Sequence, residues 1–514
     1  MLNVFNKQTV LYLGAGLMSL VMTLLVLSYN QPINLDGMIY LNSATAFLNG
    51  GIKSAAAIFN WPLYSCLIAF VSKLTHMSLL NSAYAVNFIA DLLTVIFFIA
   101  LVKELGGTYR VQVIAAFVVV FFPYLNHFRD SITRGHGYIA FALLSLLLLI
   151  RYFRNYQWRY AIGWGVAITI ATLFRVEGAC FVLYAPLILF FKPGEDGFTK
   201  KIQYVAKAYV VQLTIFLFCI FPILVFAYFY KINVLAHVGR TIDIVTQILS
   251  GLHRSWAAMN AKALLLHKYV FSPIDHEGNS LVFLAVGYLA EYVVLLINTL
   301  GLLYFILTLY AIIKKVIPSD WNAKAAWWTF VSLNIFITVL FLSQRFFLSR
   351  RYLLLLAFLL LATVPFALKQ IYLNWKQHKK TLTGSRWLFP LVVICLLYMV
   401  VDAVGHFGPS KAYVVEAGKW AESHVPQSST LCTSHAVFSY YANRNKTLLI
   451  DSSAANFAKE SLDKCDYIVI QIDRHDIKGE KKVLKELKLE PIKTFQNRRG
   501  AKMLVFSVPV KAAS

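Results

Sequence analysis

Three carboxylates and six guanidinium groups stand at the ends of apolar runs in this chain: Asp36, Asp130 and Glu177, with Arg129, Arg134, Arg175, Arg345, Arg350 and Arg351. A carboxylate can take the proton that an attacking hydroxyl must lose. Arginine forks can hold a phosphate as its charge develops, because they bind its oxygens two at a time. Together these groups fit glycosyl transfer from a sugar carried on a lipid phosphate, with the acceptor hydroxyl attacking the anomeric carbon. Asp36 has a second reading. No other acid precedes Asp91, and an Asp at the start of a helix is also a favoured N-cap. The arginines have one too, in contacts with phospholipid headgroups or pairing with Asp130 and Glu177.

The elements that must position these groups are membrane helices. The chain has 514 residues, 59% of them hydrophobic, and a mean hydropathy of +0.64, which is too apolar for a soluble fold. The predicted class is an α-helical polytopic membrane bundle. Its apolar runs are Val10 to Ser28, Trp61 to Val71, Ala83 to Val102, Val111 to Asn126, Gly137 to Ile150, Tyr160 to Phe174 and Gly178 to Phe191. They continue with Val205 to Tyr230, Leu281 to Ile313, Ala325 to Leu342, Leu353 to Leu368 and Trp387 to Val404. The first run lacks a small-residue cleavage site and is expected to stay as a signal anchor. After it, Asp36 is expected on a turn softened by Gly37. Tyr40, Ala44 and Phe47 then follow at helical spacing along the membrane surface, until Asn49-Gly50-Gly51 ends the helix.

Basic residues set the orientation. The formal net charge is +24, scattered in short clusters between apolar runs, which suits topology and anionic lipid and not a nucleic-acid patch. If Trp61 to Val71 dips in without crossing, the clusters at Lys103 and Arg110, at Arg151, Arg154 and Arg159, at Lys192, Lys200 and Lys201, and at Lys314, Lys315 and Lys324 share one face. Lys7 and the Lys369 to Arg386 cluster join them. That face is the cytoplasm by the positive-inside rule, which gives about eleven spans and a cytoplasmic N-terminus. The outer face then receives loop 29–82 with its re-entrant segment, the Phe128 to Arg134 stretch, Phe174 to Gly178, loop 231–280, and Gln344 to Tyr352.

Beyond the bundle (1–404), residues 405–514 read as a small extracytoplasmic α/β domain. Helices are expected over Lys411 to His424, Ala436 to Ala442, Ala454 to Leu462 and Lys481 to Leu487. Strands are expected over Thr430 to Thr433, Thr447 to Ile450, Asp466 to Ile472 and Met503 to Val508. There is no GxGxxG and no phosphate loop. The six cysteines form no CxxC motif. Cys432 and Cys465 alone fall in this polar tail, where a bridge requires an oxidising compartment; two unpaired thiols are expected.

Leu35-Asp36-Gly37-Met38-Ile39-Tyr40 after the first span resembles the first outer loop of the GT-C superfamily of glycosyltransferases, which includes protein O-mannosyltransferases and bacterial lipid A aminoarabinose transferases. Asn60-Trp61-Pro62-Leu63-Tyr64 is similar to their Pro-Pro-Leu-Tyr-like segment. Leu173-Phe174-Arg175-Val176-Glu177-Gly178 is similar to their Arg-Pro-Glu-Gly-like stretch, and Arg351-Tyr352 to their late Arg-Tyr. The likeness runs from about Val10 to Leu368. It implies that Asp36 is the catalytic base, outside the cytoplasm, acting on a polyprenyl-phosphate sugar, with Asp130 as the second acid. On the same reading Arg175, Arg351, Arg350 and Arg134 bind the donor phosphate, and Tyr40, Glu177, Tyr352 and Tyr64 line the substrate cavity. Transfer is expected to invert the anomeric carbon, with a lipid, a glycan or a protein as acceptor. The likeness is not complete: Asp36-Gly37 replaces the mannosyltransferases' Asp-Glu pair, and Phe59-Asn60 stands where the aminoarabinose transferases carry Glu-Lys.

Other ionisable groups compete for attention. Asp91 and Glu291 lie inside spans, where a functional role is the default and a buried, hydrogen-bonded structural role the alternative. His253, His267, Asp275, His276 and Glu277 in loop 231–280 match no tight ligand pattern, so the loop reads as a gate over the cavity. No metal is assigned to the site, and a divalent cation is the one cofactor left open. Two rival functions are a polysaccharide flippase or polymerase and a non-catalytic anchor for the tail. A transporter would show two matching halves, which this sequence lacks. An anchor leaves the outward acids and arginines unexplained.

Overall fold

The computed structural model describes residues 6–194, 197–229, 250–271, 277–377, 385–405, 410–444, 447–451 and 457–509. The apolar runs fold as helices, since a backbone in hydrocarbon must satisfy its own hydrogen bonds. Among the described residues, eight helices are long and apolar enough to cross a membrane: Lys7–Ser28, Leu79–Glu104, Gly135–Asn155, Phe198–Cys219, Asn279–Leu300, Trp321–Arg345, Leu354–Gln377 and Trp387–Val404. Four shorter apolar helices accompany them, Leu63–Thr75, Tyr109–Val120, Gly178–Phe191 and Leu302–Ile313. The 13-residue Leu63–Thr75 is the segment expected to be re-entrant. The apolar run from Leu281 to Ile313 is two helices, because Gly301 takes a φ of 87°, a conformation open to glycine at no steric cost. Asp36 and Gly37 lie within the helix Leu35–Ile58, not on a turn, and that helix breaks as expected at Gly50 and Gly51 (φ 69°).

The chain divides into two compact units. One comprises Met1–Leu20, Ile89–Leu125 and Arg134–Ala403. Within it the C-terminal ends of Leu79–Glu104 and Gly135–Asn155 meet the start of Trp321–Arg345. Arg151 donates to Glu104 at 2.8 Å, Arg154 pairs with Glu104, and Arg154 also bonds Asp320 at 2.8 Å. Asp320 caps its helix by accepting the Ala323 N–H. These ion pairs join three of the basic loops that charge counting assigned to one face.

The other unit comprises Val21–Phe88, Asn126–Thr133 and Val404–Ser514. Its tail forms a five-stranded sheet: β1 (Leu431–Thr433), β2 (Thr447–Leu449), β3 (Tyr467–Ile472), β4 (Lys493–Gln496) and β5 (Lys502–Ser507), in the order β2-β1-β3-β5-β4. β2, β1 and β3 are parallel, and β5 and β4 run antiparallel to their neighbours. Alternate residues of β3 and β5 enter opposite cores. Val469, Met503 and Val505 pack with Tyr413, Val414 and Phe438, while Ile468, Ile470, Leu504 and Phe506 pack with Val483 and Leu487. Covered on both faces, β3 is apolar nearly throughout. β4 was not expected, since only Phe495 of its four residues is even partly buried.

Cys432 and Cys465 are joined in a disulfide, which corrects the expectation of two free thiols. Cys432 lies in β1 and Cys465 directly follows the helix Phe457–Lys464, with Cα atoms 5.9 Å apart, inside the range a bridge spans. The parallel β1–β3 pairing brings them together across 33 residues of sequence, a closeness that spacing alone does not reveal.

Candidate active site

The acid-bearing segments belong to the second unit. Asn34 occupies the N-cap of Leu35–Ile58 but makes no capping bond. Its amide instead pairs with the backbone of Ile132. Oδ1 accepts the Ile132 N–H at 2.8 Å and Nδ2 donates to the Ile132 carbonyl at 3.2 Å. Asp36 is therefore not the cap. It sits in the first helical turn, where the helix dipole favours a negative charge. Gly37 makes this approach possible, since a Cβ there would lie 2.9 Å from both Asn34 Oδ1 and the Ile132 Cβ. The helix start with Asp36 and the stretch with Asp130 are thus bound to each other.

The same stretch is fixed from its other side. Tyr64 donates to Asn87 Oδ1 at 2.7 Å, and Asn87 donates to the Ser131 carbonyl at 3.1 Å. Tyr40 meets Tyr64 and Phe59 edge to face, each with ring centroids 5.1 Å apart. Both tyrosines are buried, Tyr64 almost fully. Ser131 bonds the Asp130 carboxylate at 3.4 Å. Arg129, counted among the outward cations, is also buried; it donates to Asn126 at 2.9 Å and to Thr23 at 2.8 Å.

The tail domain holds the loop ahead of Asp36, which sequence reasoning missed. Tyr441 of the helix Ala436–Tyr441 accepts the Ile33 N–H at 3.0 Å. Gln31 accepts the Lys411 N–H at 3.2 Å, and Tyr29 donates to the Val404 carbonyl at 2.6 Å. No local pattern marks these bonds, which join residues about 400 positions apart.

The four expected phosphate-binding residues, Arg134, Arg175, Arg350 and Arg351, all lie in the first unit. Arg175 ends the helix Trp158–Phe174 and is buried. Its guanidinium lies over the rings of Tyr138, at 5.3 Å, and Tyr352, at 4.8 Å, and it is paired with Glu177. Burial works to lower the Arg175 pKa, but the charge and hydrogen bond of Glu177 outweigh it and hold the pKa above its ordinary value. For Glu177, burial pushes the carboxyl up, and Arg175 with Arg134 brings it below its usual value. Glu177 Oε2 is buried without a hydrogen-bond partner. Arg350 lies 4.7 Å over the Tyr124 ring and donates to the Asn298 carbonyl, and Arg351 lies 5.3 Å from the Tyr352 ring centre. Three stretches predicted to face one side, those of Arg134, of Arg175 and Glu177, and of Arg350 to Tyr352, thus come together.

Asp91 is buried and bonded to His136 at 2.7 Å, in keeping with a structural role. Glu291 is exposed, so the buried alternative fails for it. In loop 231–280, Asp275 and His276 lie outside the described residues, as does the Glu277 side chain. Among the described residues no three His, Cys, Asp or Glu side chains gather to hold a metal ion.

The dolichyl-phosphate-mannose-protein mannosyltransferase family matches residues 60–226. No curated protein matches the sequence. The fold is similar to that of the archaeal oligosaccharyltransferase AglB from Archaeoglobus fulgidus, solved with an inhibitory peptide and a dolichol-phosphate. The TM-score is 0.52 at 12% identity, over 97% of this chain and 74% of that one. It is also similar to ArnT from Cupriavidus metallidurans bound to undecaprenyl phosphate, with a TM-score of 0.51 at 12% identity over 98% of each chain. The chain shares the fold of these two solved proteins.

Proposed function

We propose that this protein transfers a sugar from a polyprenyl-phosphate donor to a hydroxyl of a lipid, glycan or protein acceptor at the outer face of a bacterial inner membrane. Asp36 takes the acceptor proton as the oxygen attacks the anomeric carbon. The bond from that carbon to the phosphate oxygen breaks, its electron pair leaves with the polyprenyl phosphate, and a single displacement inverts the centre. Asp130 is the second acid. Arg175, Arg351, Arg350 and Arg134 hold the departing phosphate, with Tyr352 flanking it and Glu177 setting the charge of the group. Tyr40 and Tyr64 shape the acceptor side.

The observation that carries this reading is the pairing of Asn34 with Ile132, which binds the two acid-bearing segments into one rigid piece. The carriers in these similar structures support the donor class: AglB was solved in complex with a dolichol-phosphate and ArnT bound to undecaprenyl phosphate. The Cys432–Cys465 bridge supports an extracytoplasmic tail, because such bonds persist in oxidising compartments. Purified protein incubated with radiolabelled polyprenyl-phosphate sugars and an envelope extract tests the proposal. Transfer is expected from wild type and not from Asp36→Asn of unchanged thermal stability. Equal transfer by the variant would remove Asp36 as the base, and no transfer by wild type from any such donor would remove the activity.

A further inference from the structure

Away from the proposed active site, two lysines, Lys192 and Lys207, bond one tyrosine, and a third, Lys201, bonds the backbone of Lys192. Tyr156 follows the helix Gly135–Asn155 in the left-handed conformation, φ 50°, and its ring stacks on Tyr204 with centroids 3.5 Å apart. Lys192 Nζ donates to the Tyr156 hydroxyl at 2.7 Å and lies 4.6 Å from the ring centre. Lys207 Nζ donates to the Tyr156 carbonyl at 2.6 Å and sits 4.3 Å over the Trp158 ring. Lys201 Nζ donates to the carbonyl of Lys192 at 2.7 Å.

None of the three has a carboxylate partner among the described residues. Glu104 and Asp320, the acids on neighbouring helix ends, are taken by Arg151 and Arg154. Glu195 and Asp196 lie outside the described residues. Three positive charges therefore rest on neutral oxygens and ring faces at the shared end of two membrane-crossing helices, Gly135–Asn155 and Phe198–Cys219. Large apolar side chains are exposed beside them: Trp158 at 54%, under Lys207, and Phe191 at 75% and Phe198 at 69%, in the segments that carry Lys192 and Lys201. Aromatic residues at this depth mark the bilayer interface, and basic pockets between spans at such a level recruit anionic headgroups.

We propose that Lys192, Lys201 and Lys207 form a binding site for the phosphate of an anionic glycerophospholipid. The exposed apolar side chains beside the ammonium groups suit acyl chains, and the clustered positive charge suits an anionic headgroup. The site is separate from donor binding and from the residues assigned to catalysis.

Native mass spectrometry of detergent-purified protein, titrated with phosphatidylglycerol, phosphatidylcholine or undecaprenyl phosphate, tests this. Retained phosphatidylglycerol should exceed phosphatidylcholine and fall at least about tenfold in Lys192→Gln/Lys201→Gln/Lys207→Gln, while the matching triple Arg variant keeps it, as expected of a charge-driven site. A readout on wild type does not depend on those variants folding. In mixed vesicles, brominated phosphatidylglycerol should quench the fluorescence lost in Trp158→Phe at a lower mole fraction than brominated phosphatidylcholine does. Equal quenching by the two lipids, unchanged retention in the Gln variant, or displacement of phosphatidylglycerol by equimolar undecaprenyl phosphate would each overturn the assignment.

Discussion

Replacing both Cys432 and Cys465 with alanine should loosen the tail domain far more than the loss of two small side chains would. The bridge closes a loop of 33 residues, and the chain-entropy relation for a loop of that size gives roughly 4 kcal/mol of stabilisation through the unfolded state. For a domain of about a hundred residues, each kcal/mol moves the midpoint by several degrees, so the tail should open roughly 15–30 °C lower. The full chain in detergent can be challenged with protease along a temperature ramp, following cleavage after Val404. The opening should be felt further away, because Tyr441 and Lys411 of the same unit hold the Gln31–Ile33 loop ahead of Asp36. Transfer activity should fall over the same temperatures as the tail becomes cleavable. Maleimide modification of both thiols in protein purified without reductant would refute the bridge. A midpoint shift under about 5 °C would refute the loop-entropy argument that sets its size.

Gly37→Ala sets helix propensity, which favours alanine by about 1 kcal/mol, against a 2.9 Å clash with Ile132 and Asn34. Ile132 is fully buried and cannot yield cheaply, so the thermal midpoint should fall and transfer with it; a raised midpoint would show that the two segments separate freely. Arg175→Ala leaves Glu177 without its cation and should cost about 3 kcal/mol, whereas Arg175→Ala/Glu177→Ala should recover most of that stability. Only the stability should return, and a double variant that also regains transfer would make the pair purely structural. The Arg154 hydrogen bond pulls the Asp320 carboxyl down to about 2 against burial, so its stabilisation is full above the ordinary value of 3.8 and is lost as pH falls through about 2. Asp320 is 41% exposed, so its contribution is about 1 kcal/mol or less, and Asp320→Asn should flatten the stability profile between those two values.

Local order in this chain was legible because it is written in period and punctuation. Apolar runs of helical length marked the spans, Gly50-Gly51 marked the break after the Asp36 helix, and three of the four expected tail strands form the parallel part of the sheet. What resisted reading is pairing at long range. An asparagine at a helix start is a cap by local rule, yet Asn34 turns away from its own helix to the backbone of Ile132, because Gly37 lets that segment come close enough to compete. Two cysteines without a CxxC looked independent until a parallel crossover set β1 beside β3. Arg129 and Arg175 carry the same charge at comparable places in the sequence, but Arg129 donates to Asn126 and Thr23 while Arg175 lies between two tyrosine rings beside Glu177. A guanidinium paired to a single carboxylate can exchange it for a phosphate at modest cost, since one anion replaces another. That setting is why Arg175 is assigned to the donor, and it arises from which helices meet, which the residue type at each position does not record.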